Sequence, residues 1–199
     1  MWHYVETNQF GALSQSEMQD NAKEIYSILK DEWTLEAVCG MLGNAQQESG
    51  LNPAQTQKGY PIGGDSGGYG LYQWTPPHNY KNWANENGYD VTDGYYQVIA
   101  MNTPIPVGQY IVTGPYPQTF DEFKKVTDVD LATEIFLKNW ERAGEAYLEQ
   151  RKSYARAWYE FLSGETPEPP TPSRLVNSLK NVFYGNKKIL YRGKINKFF

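Results

Sequence analysis

Cysteine and histidine are nearly missing from this sequence: its 199 residues include one cysteine, Cys39, and two histidines, His3 and His78. A lone cysteine excludes an intrachain disulfide framework. The same scarcity leaves too few soft ligands for the usual zinc sets, so no metal and no other cofactor is expected. A thiol nucleophile needs a basic partner, and neither histidine has an obvious one, so Cys39, beside Gly40, reads as a small buried side chain. Also missing is an apolar run long enough to span a bilayer, and Met1-Trp2-His3-Tyr4-Val5-Glu6-Thr7 lacks the basic start and apolar stretch of a signal peptide. No membrane anchor is expected. Positive charge is scarce over the first 165 residues, eleven Lys or Arg against twenty-two Asp or Glu, which argues against nucleic acid as a partner.

Aromatic residues, by contrast, are plentiful: they make up 15% of the chain, with 16 tyrosines and 6 tryptophans. Such rings pack in cores, and they also line carbohydrate clefts, where a flat face stacks on a sugar and a polar tip bonds a hydroxyl. With 40% hydrophobic residues, the length suffices for one domain with a real core plus an appendage.

The stretch Trp33 to Gln47 reads as a helix with Thr34 as N-cap and an apolar stripe at Val38, Met41, Leu42 and Ala45. Glu48 follows Ala45 by three residues and so continues that stripe. A carboxyl group on the core-facing side, near the negative end of the helix dipole, is expected to have a raised pKa, suited to donating a proton near neutral pH. The plainer alternative is a last-turn surface residue. Gly50 is placed to end the helix in a left-handed cap, and Pro53 bars its continuation. Further on, Gly67-Gly68-Tyr69-Gly70-Leu71-Tyr72-Gln73-Trp74 has the glycine and aromatic density expected where backbone approaches a ligand closely.

The ordered pair Glu48-Ser49-Gly50-Leu51-Asn52 and Gly70-Leu71-Tyr72-Gln73 resembles the signature of the lysozyme-like superfamily that includes lytic transglycosylases and goose-type lysozymes. With its wider context, Gly40 to Ser49, Gly70 to Pro76 and Asn82-Trp83-Ala84, it looks most like the tail-tip lysozyme domain of short-tailed phages of Gram-positive bacteria. The resemblance spans roughly residues 14 to 163, and the first half carries nearly all of it. It implies a mainly α (α+β) fold: a lysozyme-like helical domain with a small β or loop lobe forming one wall of a cleft. Glu48 would be the general acid, Ser49 and Asn52 would orient it and the turn after it, and Gln73 would bond substrate or Glu48. Gly70 belongs to the same motif, and Tyr69, Tyr72 and Trp74 are candidate stacking residues.

Cleaving the bond between N-acetylmuramic acid and N-acetylglucosamine calls for a second carboxylate, at about 5 Å for retention or about 6.5–9.5 Å for inversion. Asp65, in the glycine-rich segment, is the candidate; its alternative role is an Asx-turn beside Gly64 and Gly67. Some members of the superfamily use the substrate's N-acetyl group instead. Asn139-Trp140-Glu141-Arg142 also resembles a segment of the phage domain, with Glu141 and Arg142 either a structural ion pair or a cleft contact, the structural role being preferred.

In chain order, residues 1–13 form an N-terminal arm, and Ser14-Gln15-Ser16-Glu17 is a capping box opening a helix through Leu29, expected to pack as a hairpin with the Glu48 helix through Gly40 and Gly43. Residues 54–76 suggest turns and short strands; short helices are expected from Asn79 and over 92–101, a hairpin over 102–118. Thr119 and Asp128 each cap a helix, and a last helix runs from Glu145 to Leu162. The resemblance makes residues 14–163 the lysozyme-like catalytic domain. Residues 164–173 read as a Pro-rich linker. Residues 174–199 read as a basic segment that docks on a larger assembly such as phage tail proteins, binds anionic wall polymers, or is simply solvated; residues 166–199 hold seven Lys or Arg against one Glu. The resemblance implies bacterial peptidoglycan as substrate and a place at the virion tail tip. An endolysin, a conjugation-associated transglycosylase and a non-catalytic glycan-binding tail protein are the alternatives.

Overall fold

The computed structural model describes residues 1–103, 109–142 and 147–164, all within the compact unit Met1–Glu168. The expected linker and basic segment lie outside the described residues, apart from Gly164. Among the described residues the fold is mainly helical: α1 (Gln15–Leu29), α2 (Leu35–Ser49), α3 (His78–Glu86), α4 (Gly94–Asn102), α5 (Phe120–Phe123), α6 (Val129–Phe136) and α7 (Leu148–Ser163). A π-helical turn, Leu137–Glu141, follows α6 directly.

Polar caps set the starts. Ser14 and Glu17 form a reciprocal capping box on α1, and Thr119 and Glu122 form another on α5. Thr34 accepts from the Ala37 amide at the head of α2, and Asp128 from the Leu131 amide at the head of α6. Gly50 ends α2 at φ 61°, a left-handed conformation that a glycine adopts without steric cost.

Helix α2 is the axis of the molecule. Its residues from Ala37 to Ala45 are all buried, so it is covered on every side over that span. Its main neighbours are α6 and α7, which differs from the expected hairpin with α1. The reason lies in its two glycines. A Cβ on Gly40 would stand 2.6 Å from the Ala132 Cβ of α6, and one on Gly43 would stand 2.4 Å from the Arg151 carbonyl of α7. Those closest approaches are reserved for α6 and α7; α1 packs instead against both α4 and α2.

The expected β-lobe is present as turns joined by isolated bridges: Thr7 pairs with Gln55, and Tyr69 pairs with both Thr56 and Trp74. Of the hairpin expected over 102–118, residues 104–108 lie outside the described residues; the described ones show one bridge, Thr113 to Tyr116, with Ile111 donating to the Asn139 carbonyl at 2.7 Å. Beneath the lobe sits an aromatic core. Trp74 stacks on Tyr80 with centroids 5.7 Å apart and meets Trp140 edge-on at 5.0 Å, while Tyr72 meets Trp140 at 5.9 Å. This cluster fastens the lobe to α3 and to the turn after α6, and so fixes one cleft wall against the other.

Candidate active site

Glu48 stands in the last turn of α2, where the helix leaves the core and opens into a cleft of about 420 Å³. Its side chain is 23% accessible, which fits its place at the edge of the apolar stripe. Oε1 receives Arg151 Nη2 at 2.5 Å. Arg151 is buried on α7, and its Nη1 donates to Asn44 Oδ1 at 3.1 Å. Asn44 is also buried, and its amide nitrogen donates to the Gly40 carbonyl at 2.9 Å and the Thr133 carbonyl at 3.0 Å. Glu48, Arg151 and Asn44 therefore form a relay of fixed geometry across α2, α6 and α7.

A second carboxyl group shares the cleft. Glu141, the last residue of the π-helical turn, lines it with Glu48. The residue is partly accessible, yet its Oε1 is enclosed and has no hydrogen-bond partner among the described residues. Burial, and then the charge of Glu48, hold its pKa well above the usual carboxyl range, with the Arg151 and Arg142 guanidiniums acting the other way. Arg142 lies beyond it at φ 51° and donates to the Gln109 carbonyl at 2.5 Å. Single π-turns and left-handed non-glycine residues concentrate at functional sites. Here both adjoin Glu141.

Carboxamides cover much of the rest of the cleft: Gln55, Gln57, Gln73, Gln109 and Asn8. Carboxamides both donate and accept, as recognition of hydroxyl and acetamido groups requires. Gln73, at φ 44°, is held by Nε2 donating to the Gly70 carbonyl at 3.0 Å and the Gln55 carbonyl at 3.3 Å. Phe10 and Lys58 complete the rim with Thr75 and Arg142.

The remaining residues singled out in the sequence lie elsewhere. Ser49 is buried and its hydroxyl contacts the Ala45 and Leu71 carbonyls at 2.9 and 3.0 Å, tying the end of α2 to the glycine-rich loop. Asn52 is buried and clasps Val5 through both its backbone groups, at 3.1 and 2.7 Å. Gly70 has φ 77°, and a Cβ there would stand 2.4 Å from Gln97 Oε1. Tyr69, Tyr72 and Trp74 are core residues at 3%, 0% and 0% exposure, so their faces pack on protein and are closed to a sugar. Asp65 is 85% exposed, pairs with Lys81 at 3.7 Å and is absent from the cleft lining. Lys81 also binds the Gly63 and Gly64 carbonyls at 2.8 and 2.7 Å, so this pair staples the loop. Cys39 is fully buried and burial pushes its thiol up, which suits packing and not nucleophilic attack.

Three residues that brace the site from behind escaped the sequence reading as site residues, and the first two had a trace there. Asn44 precedes Glu48 by one helical turn, on the same face. Arg151 shares the buried stripe of α7 with Ala155 and Trp158, an unusual place for a cation. Gln97 is fully buried and links the Leu71 amide at 2.8 Å to the Pro53 carbonyl at 2.6 Å, joining the loop to the segment after α2.

A helical core built round one carboxylate-bearing helix, with a turn-rich wall closing a carboxyl-lined cleft, defines a lysozyme-like domain. The chain belongs to the phage tail lysozyme family, which matches residues 20–162. It is also 36% identical over 155 residues to morphogenesis protein 1 of Bacillus phage B103, an alignment covering 77% of this chain and 42% of that protein. The chain thus spans less than half the length of that relative.

Proposed function

We propose that this protein is a glycosidase of the muramidase type, carried with a phage tail and cutting the glycan strands of bacterial peptidoglycan to breach the wall locally during infection. The observation that carries the reading is Glu48, rigidly held and opening into a carboxamide-lined cleft that also contains Glu141. Glycoside hydrolysis needs two functions from carboxyl groups, one delivering a proton to the bridging oxygen and one serving the positive anomeric centre or the attacking water. Among the described residues that line the cleft, Glu48 and Glu141 carry the carboxyl groups. Ser49, Asn52 and Gly70 shape the site from behind, and Gln73 faces the substrate. Membership of a tail lysozyme family and similarity to a phage morphogenesis protein support the virion setting and the association with tail proteins.

The test is digestion of purified Gram-positive peptidoglycan by the wild type and Glu48→Gln, with released muropeptides read by mass spectrometry. Release by the wild type alone is the expected result, with N-acetylmuramic acid at the new reducing ends. An anhydro end would make the protein a transglycosylase. Intact walls with both proteins, despite binding, would make it a glycan-binding tail component.

A further inference from the structure

The carboxamide and aromatic chemistry of the cleft recurs on another face. A groove of about 470 Å³ opens where α1, α2 and α7 meet, within the ~300–1,000 Å³ of small-ligand pockets. Gln15 and Gln19, one turn apart on α1, line it, and Gln46 of α2 adds a third carboxamide. Tyr154, Trp158 and Phe161 stand at i, i+4 and i+7 on α7, which places them in one row. Trp158 is the buried member, 3% exposed, and meets Phe161 edge-on with centroids 5.9 Å apart. Among the described residues, the groove and the Glu48 cleft share no lining residue. Gln46 precedes Glu48 by two residues, a turn of about 200° around α2, so the two open on opposite sides of that helix.

Polar groups in the groove are unspent. The carboxamides of Gln15, Gln19 and Gln46 have no hydrogen-bond partner among the described residues, and the Trp158 indole N–H is enclosed without an acceptor among them. A buried donor without an acceptor is costly, and a hydroxyl or acetamido oxygen brought to it removes that cost. Charge narrows the ligand. Glu160 is the charged member of the described lining, and Lys23, 5.3 Å from the Phe161 ring centroid, is paired with Asp20 at 3.6 Å. A lining with a carboxylate and no cation repels phosphates and carboxylates. It suits hydroxyls that donate to Glu160 and to the glutamines, and sugar faces that lie on the rings. No second carboxyl group accompanies Glu160 in the described lining, so the groove fits binding and not hydrolysis.

We propose that this groove is a second glycan site, which binds a neutral strand of N-acetylated amino sugars and holds the protein on the wall while the Glu48 cleft acts. The choice of glycan rests on the glycosidase reading above; the preference for a neutral saccharide rests on the groove's own residues.

The test is ¹H–¹⁵N NMR of the full chain carrying Glu48→Gln, titrated with chitotetraose, an uncharged N-acetylglucosamine oligomer. The Trp158 indole signal is assigned through Trp158→Phe, and the Gln73 side-chain amide serves as the reporter of the cleft. No described residue of the cleft lining is a tryptophan, so the Trp158 signal reports on the groove. The expected result is a saturable shift of the Trp158 indole whose affinity falls about tenfold in the double variant Gln19→Ala, Tyr154→Ala. The Gln73 response should stay as in the parent, which also shows that the variant is folded. A Trp158 indole that does not move while Gln73 does would overturn the proposal, as would a double variant that titrates like its parent. A Trp158 shift with poly(glycerol phosphate) in place of chitotetraose would overturn the neutral-saccharide assignment. Wall fragments released by the wild type with Trp158 silent would remove the groove and leave the glycosidase reading intact. A Trp158 shift in a protein whose wild type releases no fragment would uphold the groove while that reading fails.

Discussion

Arg151 Nη2 and Glu48 Oε1 stand 2.5 Å apart, the arginine side chain 4% accessible and the glutamate 23%. The pair links the end of α2 to the first turns of α7. Breaking a buried ion pair by removing one partner leaves the other charge uncompensated and costs about 3–5 kcal/mol. Arg151→Met is therefore expected to lower the unfolding free energy by an amount in that range and to abolish wall digestion. A double-mutant cycle with Glu48→Gln, followed by urea denaturation, checks the coupling: the double variant should be more stable than the sum of the single losses allows.

Glu141 yields a prediction of opposite sign. Because its folded-state pKa is raised, the folded protein binds more protons at this group than the unfolded chain does, over the interval between the two values. Stability then falls as pH rises through that interval. Glu141→Gln removes the titration. The variant should match the wild type closely below the ordinary carboxyl pKa and gain on it as pH rises from there to the raised folded-state value, while losing activity. Thermal melts of both proteins across pH measure this, and a constant difference at all pH values would contradict it.

The helix starts, the α2 axis and the place of Glu48 were legible in the sequence because they depend on local signals: capping residues, an apolar stripe, a glycine stop. Asn44 and Arg151 were not recognised because their meaning lies in each other, 107 residues apart. Glu141 was obscured for a different reason. Periodicity counted from Asp128 assumes 3.6 residues per turn, and the π-turn from Leu137 shifts the register at the residues that matter. The surplus aromatics drew attention as sugar platforms, yet Tyr69, Tyr72 and Trp74 are the cement of the lobe. A sequence shows that a ring is present, and only the packing shows which way it faces.

Trp74 is consequently expected to behave as a core residue. It is fully buried between Tyr80 and Trp140, and its replacement by alanine should cost about 3–5 kcal/mol in chemical denaturation. Trp74→Phe should recover most of that stability and most of the activity. A Trp74→Phe protein that is fully stable but no longer binds walls would restore Trp74 as a substrate contact.

Gly43 and Gly40 allow the packing and the site to be separated. Alanine at Gly43 places its Cβ 2.4 Å from the Arg151 carbonyl and 2.9 Å from the Ala155 amide nitrogen. Backbone atoms cannot give way as a flexible side chain does, so α7 must shift, at about 1–3 kcal/mol. That shift carries Arg151 with it. Alanine at Gly40 instead pushes on Ala132 and Thr133 of α6, on the Asn44 side of the relay. Both variants should lose stability comparably, while Gly43→Ala loses the larger share of turnover when the two are assayed well below their melting temperatures.

Phe10 is the aromatic ring among the described residues that line the cleft. It lies at the rim, 59% accessible, on an arm fixed by Asn52 to Val5, by the Thr56 amide donating to the Thr7 carbonyl at 2.8 Å, and by Asn8 donating to the Tyr60 carbonyl at 2.9 Å. The arm is therefore anchored up to two residues before the ring. Covering part of a phenyl face with a sugar is worth about 1–2 kcal/mol, so Phe10→Ala should weaken wall binding roughly tenfold. Its stability should stay near wild type, since the ring is already largely in water. Phe10→Trp should bind at least as well as the wild type. Binding is best measured on a Glu48→Gln background, so that the walls stay intact during the experiment. Equal affinity of the Phe10→Ala and parent proteins would mean that the glycan passes the cleft without touching the arm.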